Sequence, residues 1–259
     1  MIRNPIKFSK GACQQRQASL FCGQTSGSYL VEKNSGMHDV EQILARVRSR
    51  NAALIAVSKT HSVSRIREIY DLGIRDFGEN KVQEMIEKAP QLPPDIRWHL
   101  IGHLQTNKVK YVAPFVFMIH TVDSEKLLGE IEKQAAKHDR SIRVLFQFHV
   151  AREESKFGID PNRMDWLTQV DFPLEYPHLI PSGVMGMATF TDDEDIIRRE
   201  FQQLHSIFHR LKTSVFADQA SFKDISMGMS SDYAIALEEG STMVRIGSLI
   251  FGAREFPPQ

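Results

Sequence analysis

The chain has 259 residues, 42% hydrophobic and 25% charged, with 32 basic and 32 acidic side chains and no formal net charge. Composition and length suit a single barrel as well as two smaller domains. A zero balance removes any general attraction to nucleic acid or anionic lipid, and no apolar run approaches the roughly 20 residues needed to span a bilayer. A soluble, cytoplasmic protein with no nucleic-acid or membrane partner is expected.

The balance hides an asymmetry. Residues 1–36 carry Arg3, Lys7, Lys10, Arg16 and Lys33 against one acid, Glu32, and they also contain both cysteines, Cys13 and Cys22. The remaining 223 residues are thiol-free, which excludes a cysteine nucleophile, a cysteine zinc site and a disulfide framework there. The leading stretch has no hydrophobic period and no secretory apolar core, and Met37 stands directly before the first patterned segment. Residues 1–36 are therefore read as a disordered leader or a mis-assigned start, with a basic targeting peptide as the lesser alternative, and residues 37–259 as the functional unit.

From His38 onward, strand-like and helix-like patterns alternate. Val40, Ile43, Leu44 and Val47 recur at helical spacing, and Leu54 to Lys59 reads as a buried strand. A helix over Ser64 to Leu72 is stopped by Gly73, a short strand follows at Asp76 to Glu79, and a polar helix runs from Asn80 to Lys88. Prolines 90, 93 and 94 break the chain before a strand from Arg97 to Gly102. Phe117 to Thr121 predicts a strand, Ser124 to Ala136 a helix and Ile142 to Val150 a strand. Strands over Leu179 to Met187 and Asp224 to Met229 enclose a helix with Ile197, Phe201, Leu204, Phe208 and Leu211 on one face. Asp232 to Glu239 predicts a short helix and Met243 to Phe251 the last strand. Eight strands separated mostly by helices predict an α/β fold, a single (β/α)8 TIM barrel. An open doubly wound sheet is the alternative, but no Gly-rich dinucleotide fingerprint follows the first strand.

Function in such a barrel sits at the carboxyl ends of the strands. Those positions are Lys59, Glu79 with Asn80, His99 with Gly102 and His103, Thr121, His149, Met187, Ser230 with Ser231, and Arg245 with Gly247 and Ser248. A lysine closing an apolar strand is unusual, because a buried ammonium tends to shed its proton and become a Schiff-base nucleophile. A lysine snorkelling from the rim is the equally weighted alternative. Gly228-Met-Ser-Ser-Asp232 and Arg245-Ile-Gly-Ser248 combine backbone N–H groups, hydroxyls and a helix start, a corner where barrels often hold phosphate, although the serines can also serve as helix caps. A nucleophilic lysine facing an anion site fits a phosphorylated aldehyde, either pyridoxal phosphate or the sugar-phosphate substrate of an aldolase.

Six segments carry a resemblance that separates these options. They are Ala56-Val-Ser-Lys-Thr60, Phe77-Gly-Glu-Asn80 with Gln83-Glu84, Trp98-His-Leu-Ile-Gly102 with Leu104 to Lys108, Glu154-Ser-Lys-Phe-Gly158, Ser226-Met-Gly-Met-Ser230 and Gly240 to Ser248. In this order, over nearly the whole chain from Met37, they resemble the pyridoxal phosphate homeostasis protein family, also described as proline-synthase co-transcribed. The resemblance implies one barrel of the alanine racemase N-terminal type. Lys59 matches the lysine carrying pyridoxal 5'-phosphate as a Schiff base; Ser230, Gly247 and Ser248 match phosphate-holding positions. Ser231 is a weaker match, and Ser248 stands where many relatives have threonine. Arg245 matches an arginine facing the pyridine nitrogen, and Asn80 and Met187 are expected to line the cavity.

The implied function is cellular pyridoxal phosphate homeostasis with little or no turnover. A PLP-dependent amino-acid racemase-like enzyme is the alternative, and PLP-dependent apo-enzymes or regulatory proteins are the conceivable partners. An arginine beside the pyridine nitrogen weakens the ring as an electron sink. The chain also ends at Gln259, soon after the eighth strand, leaving no room for the second domain of a racemase; a monomer is expected rather than an obligate dimer. No metal is expected. His99 and His103 have i, i+4 spacing but lie at a strand end without an adjacent glutamate, and Asp192 to Asp195 reads as the acidic first turn of a helix. Lys81, Lys108 and Lys110 read as solvated helix charges.

Overall fold

The computed structural model describes residues 40–153 and 157–252; the leader over 1–36 and residues 154–156 of the Glu154 to Gly158 motif lie outside the described residues. Among the described residues, eight parallel strands close in sequence order into a barrel. Helix α1 (40–49) precedes β1 (Ala53–Val57). Next come α2 (Val63–Asp71), β2 (Asp76–Glu79), α3 (Val82–Lys88), β3 (Arg97–Leu100) and the short α4 (Val109–Val112). Then follow β4 (Met118–Val122), α5 (Glu125–Lys137), β5 (Ile142–Gln147), α6 (Asp165–Thr168), α7 (Phe172–Glu175) and β6 (Leu179–Met185). The 19-residue α8 (Glu194–Lys212) leads to β7 (Asp224–Ser226), α9 (Tyr233–Glu238), β8 (Met243–Ile246) and α10 (Ser248–Phe251). Strand β8 pairs with β1 through the register Ala53 to Met243 and Ala56 to Ile246, which closes the ring.

The helices form where caps and apolar periods coincide. Ser62 accepts from the Arg65 N–H at the start of α2. Asp193 accepts from Asp195 and Ile196 at the start of α8, so the acidic run is a cap and first turn, as its spacing predicts. Ile197, Phe201, Leu204 and Leu211 of α8 are buried against the barrel wall.

The predicted strands are right in number and order; β2 has the predicted bounds and β4 ends one residue later than predicted, while the other six were drawn too long at their carboxyl ends. The expectation of a strand from Met243 to Phe251 fails beyond Ile246, because Gly247 turns into the helical region and residues 248–251 form α10. Apolar content cannot distinguish a buried strand from a buried helical turn over so few residues. Strands β5, β6 and β7 likewise stop at Gln147, Met185 and Ser226.

Two apolar layers result. The main core lies between the barrel wall and the helices, with Phe77, Phe146, Phe201 and Phe222 fully buried. Ile55, Met118, Leu145, Met185 and Met243 form a second cluster within the ring, where alternate residues of each strand point inward. Among the described residues no helix is long and apolar enough to cross a membrane.

Candidate functional site

The inward alternation of β1 runs through Ile55 and Val57 and, continued past the strand, reaches Lys59. At the carboxyl mouth a cavity of about 380 Å3 opens, within the range of small-ligand pockets. Lys59, Asn80 and Met187 line it from β1, β2 and β6. Ser230, Ser231, Arg245, Gly247 and Ser248 line it from β7 and β8, so all eight sequence-selected residues share one cavity. Val57, His61, Ile101, Phe190, Met229 and Gly252 also line it and were not selected, since an apolar, imidazole or glycine residue at a strand end or in a loop carries no chemical signal of its own. The remaining strand-end candidates, Glu79, His99, His103, Thr121 and His149, do not line this cavity.

Two glycines shape the approach. A Cβ on Gly102 would meet the Asn80 carbonyl at 2.2 Å, so only glycine lets the chain after β3 pass this close to Asn80. Gly228 has φ +91°, and a side chain there would also strike Ala236 of α9.

The loop after β7 is tightly tied. The Met229 N–H donates to Asp232 at 2.5 Å and the Gly247 N–H to the Ser230 hydroxyl at 3.3 Å. Helices α9 and α10 have only six and four residues, so the expected helix-dipole contribution is small. The donors available to an anion are individual hydroxyls and N–H groups.

Beneath the mouth, Arg245 donates to the Ser226 hydroxyl at 2.7 Å and to the Gly186 carbonyl at 3.0 Å. Burial lowers its pKa to about 10, partly offset by Asp232, which leaves it cationic at neutral pH. No aspartate or glutamate lines the cavity among the described residues. An amine, a guanidinium and three serine hydroxyls without a carboxylate form a donor set matched to an anion with an electrophilic carbon, and pyridoxal 5'-phosphate fits it.

Behind Lys59 lies a charged cluster that sequence reasoning missed. Lys88 Nζ donates to the Ser58 carbonyl, Glu79 and Glu84 at 3.0, 2.8 and 2.9 Å, and the Ser58 hydroxyl donates to Glu79 at 2.7 Å. Burial pushes the Glu79 carboxyl up, against the pull of Lys88. Lysine at an even spacing from acids on α3 reads as a solvated pair, and only the barrel contact buries it.

His99 lies inside the barrel and His103 stacks on Phe157, with ring centroids 4.1 Å apart. The two act separately. On the β6 side, buried Glu200 of α8 accepts from the Thr189 N–H and hydroxyl and so ties the segment between Met187 and Phe190 to the scaffold.

The alanine racemase N-terminal domain family matches residues 33–255. The pyridoxal phosphate homeostasis protein of Pasteurella multocida is 40% identical over 223 residues, covering 85% of this chain and 93% of that protein. The protein of that name from Homo sapiens is 39% identical over 215 residues, covering 78% and 77%. The structure of PipY from Synechococcus elongatus, solved with PLP bound, has a TM-score of 0.71 at 34% identity, over 81% of this chain and 98% of that one.

Proposed function

This chain belongs to the pyridoxal phosphate homeostasis protein family, and from that membership we propose that it binds pyridoxal 5'-phosphate at the β1/β8 mouth, covalently through Lys59. The observation that carries the reading is a cavity lined by no carboxylate among the described residues, in which the Lys59 amine shares one wall system with the Ser230 and Ser248 hydroxyls. When bound, the cofactor supplies an aldehyde that condenses with an amine.

Each residue has a separable task. Ser230 accepts from Gly247 and keeps its own proton to donate to phosphate, together with Ser248 and, less directly, Ser231. Asn80 and Met187 hold the walls, Ile101 adds apolar surface, and Phe190 stands exposed beside the opening. The Arg245 guanidinium resists a second positive charge on a nearby ring nitrogen, which suits carriage over carbanion chemistry. On this reading the protein buffers a reactive aldehyde in the cytoplasm, as a monomer, and PLP-dependent apo-enzymes are the recipients.

A visible spectrum of purified protein, borohydride trapping and peptide mapping test the cofactor, linkage and site together. The expected result is a yellow protein with the adduct on Lys59, abolished in Lys59→Ala. A colourless protein that pyridoxal phosphate cannot reconstitute refutes the proposal.

A further inference from the structure

Four buried or half-buried side chains join Arg245 to the opposite mouth of the barrel. Ser226 closes β7, His120 is the third residue of β4, His99 is the third residue of β3 and Asp76 opens β2. Arg245 Nη1 reaches Ser226 Oγ at 2.7 Å, Ser226 Oγ lies 3.0 Å from His120 Nδ1, and His120 Nε2 lies 2.8 Å from His99 Nδ1. His99 Nε2 is 3.0 Å from Asp76 Oδ1. Ser226, His99 and His120 are all buried in the ring.

The two ends dictate the direction of every bond between them. Arginine can only donate and a carboxylate can only accept. The Arg245 N–H therefore occupies a Ser226 lone pair, and the Ser226 proton goes to His120 Nδ1. His120 then donates from Nε2 to His99 Nδ1, and His99 donates from Nε2 to Asp76. The reverse order would set a bare His99 Nε2 against the Asp76 carboxylate and deprive the Ser226 proton of its His120 acceptor. Burial lowers the pKa of both imidazoles, helped at His99 by Arg97 against the raising effect of Asp76 and at His120 by His99 and Arg245, which favours the neutral rings that this order requires. Asp76 stays ionised because hydrogen bonds from Arg97 and His99 outweigh its burial and lower its pKa to about 2.

We propose that Asp76, His99, His120 and Ser226 form a one-way hydrogen-bond relay that fixes the Arg245 guanidinium in the cofactor cavity, making Asp76 a positioning residue at the far mouth of the barrel. Each neutral link is polarised by the next, so the charge at Asp76 strengthens the acceptor that Arg245 meets at Ser226. The relay takes up one Arg245 amino group and the Gly186 carbonyl takes up the other, which determines how the guanidinium can face the cavity. This inference rests on the pyridoxal phosphate reading of that cavity.

Two measurements test it. Long-range 1H–15N spectra of the imidazoles in the protein without added cofactor should show His99 and His120 as neutral Nε2–H tautomers at pH 7. An Nδ1–H tautomer or a doubly protonated ring at either position overturns the relay. Titration with pyridoxal phosphate should give a dissociation constant about tenfold higher, and a displaced visible band, in Ser226→Ala and in Asp76→Asn. Asp76→Asn keeps size and an acceptor oxygen near the solvent end, so it remains informative if Ser226→Ala does not fold. Wild-type affinity and spectrum in folded Asp76→Asn overturns the proposal. If the wild-type protein takes up no pyridoxal phosphate, the cofactor reading fails, and the tautomers alone judge the relay.

Discussion

The backbone N–H of Thr60 donates to the Glu84 carboxylate at 2.8 Å, so a residue of α3 holds the turn that directly follows Lys59. Thr60 has φ 68°, a left-handed conformation that costs a β-branched residue roughly 1–2 kcal/mol. Strain beside Lys59 is thus maintained by a charged acceptor from outside the cavity. Glu84→Ala should lower stability by about 1–2 kcal/mol and weaken pyridoxal phosphate uptake. Adding Thr60→Gly, which removes the strain, should recover part of both. Urea unfolding and cofactor titration of the single and double variants check this, and no recovery in the double variant would detach the strain from Glu84.

The Lys88 and Glu79 pair makes a second prediction. Glu79 is fully buried, its Oε2 has no hydrogen-bond partner among the described residues, and its Oε1 accepts from Lys88 and Ser58. Lys88→Met leaves that carboxylate uncompensated and should cost about 3–5 kcal/mol. Glu79→Gln in the same background should restore a large share, because it removes the stranded charge. A double-mutant cycle in urea measures the coupling, and additive losses would contradict it.

Asp224 gives the protein a pH-dependent cost. Burial raises its carboxyl from the ordinary 3.8 to about 6, against the opposing effects of Lys223, Arg143 and Thr242. The folded state therefore holds this proton more tightly than the unfolded chain. Stability from it is complete below the unfolded pKa and is lost as pH rises through about 6. Asp224→Asn should stabilise the protein by about 1–3 kcal/mol at pH 8 and by little at pH 4. Equal gains at both values would show that the effect is not this titration.

Gly102 tests the shape of the cavity independently of its charges. In Gly102→Ala the new methyl would strike the Asn80 carbonyl, so one of the two chain segments must shift. The pyridoxal phosphate dissociation constant should rise by at least about tenfold, with a smaller loss of stability, because the displaced segment is at the rim. Calorimetric titration beside a thermal melt separates the two effects.

The site was legible where chemistry and position coincide in the sequence. Lys59 ends an apolar run, and Ser230, Ser231 and Ser248 sit in short Gly-bearing segments after strands; these local signals survive in the fold because strand ends must converge in a closed barrel. Glu84, Lys88 and Glu200 were not legible. Each sits on a helix with ordinary polar spacing, and its role comes from the loop it touches, 24 to 30 residues away for Glu84 with Thr60 and Lys88 with Ser58, and 11 for Glu200 with Thr189.

The order of elements and the barrel class follow from apolar period, a local property of the chain; strand-end chemistry gave a longer list of rim positions, from which the family resemblance picked the eight that line the cavity. Where each strand stops, which way α10 turns and what stands behind Arg245 were decided only by the tertiary structure. His99 and His120 show the reason. Twenty-one residues separate them, and nothing in either local pattern pairs them; two adjacent parallel strands, with His99 opposite Met118, bring a nitrogen of each ring to within 2.8 Å, and the donor-only and acceptor-only ends of the chain of bonds then set the proton on each.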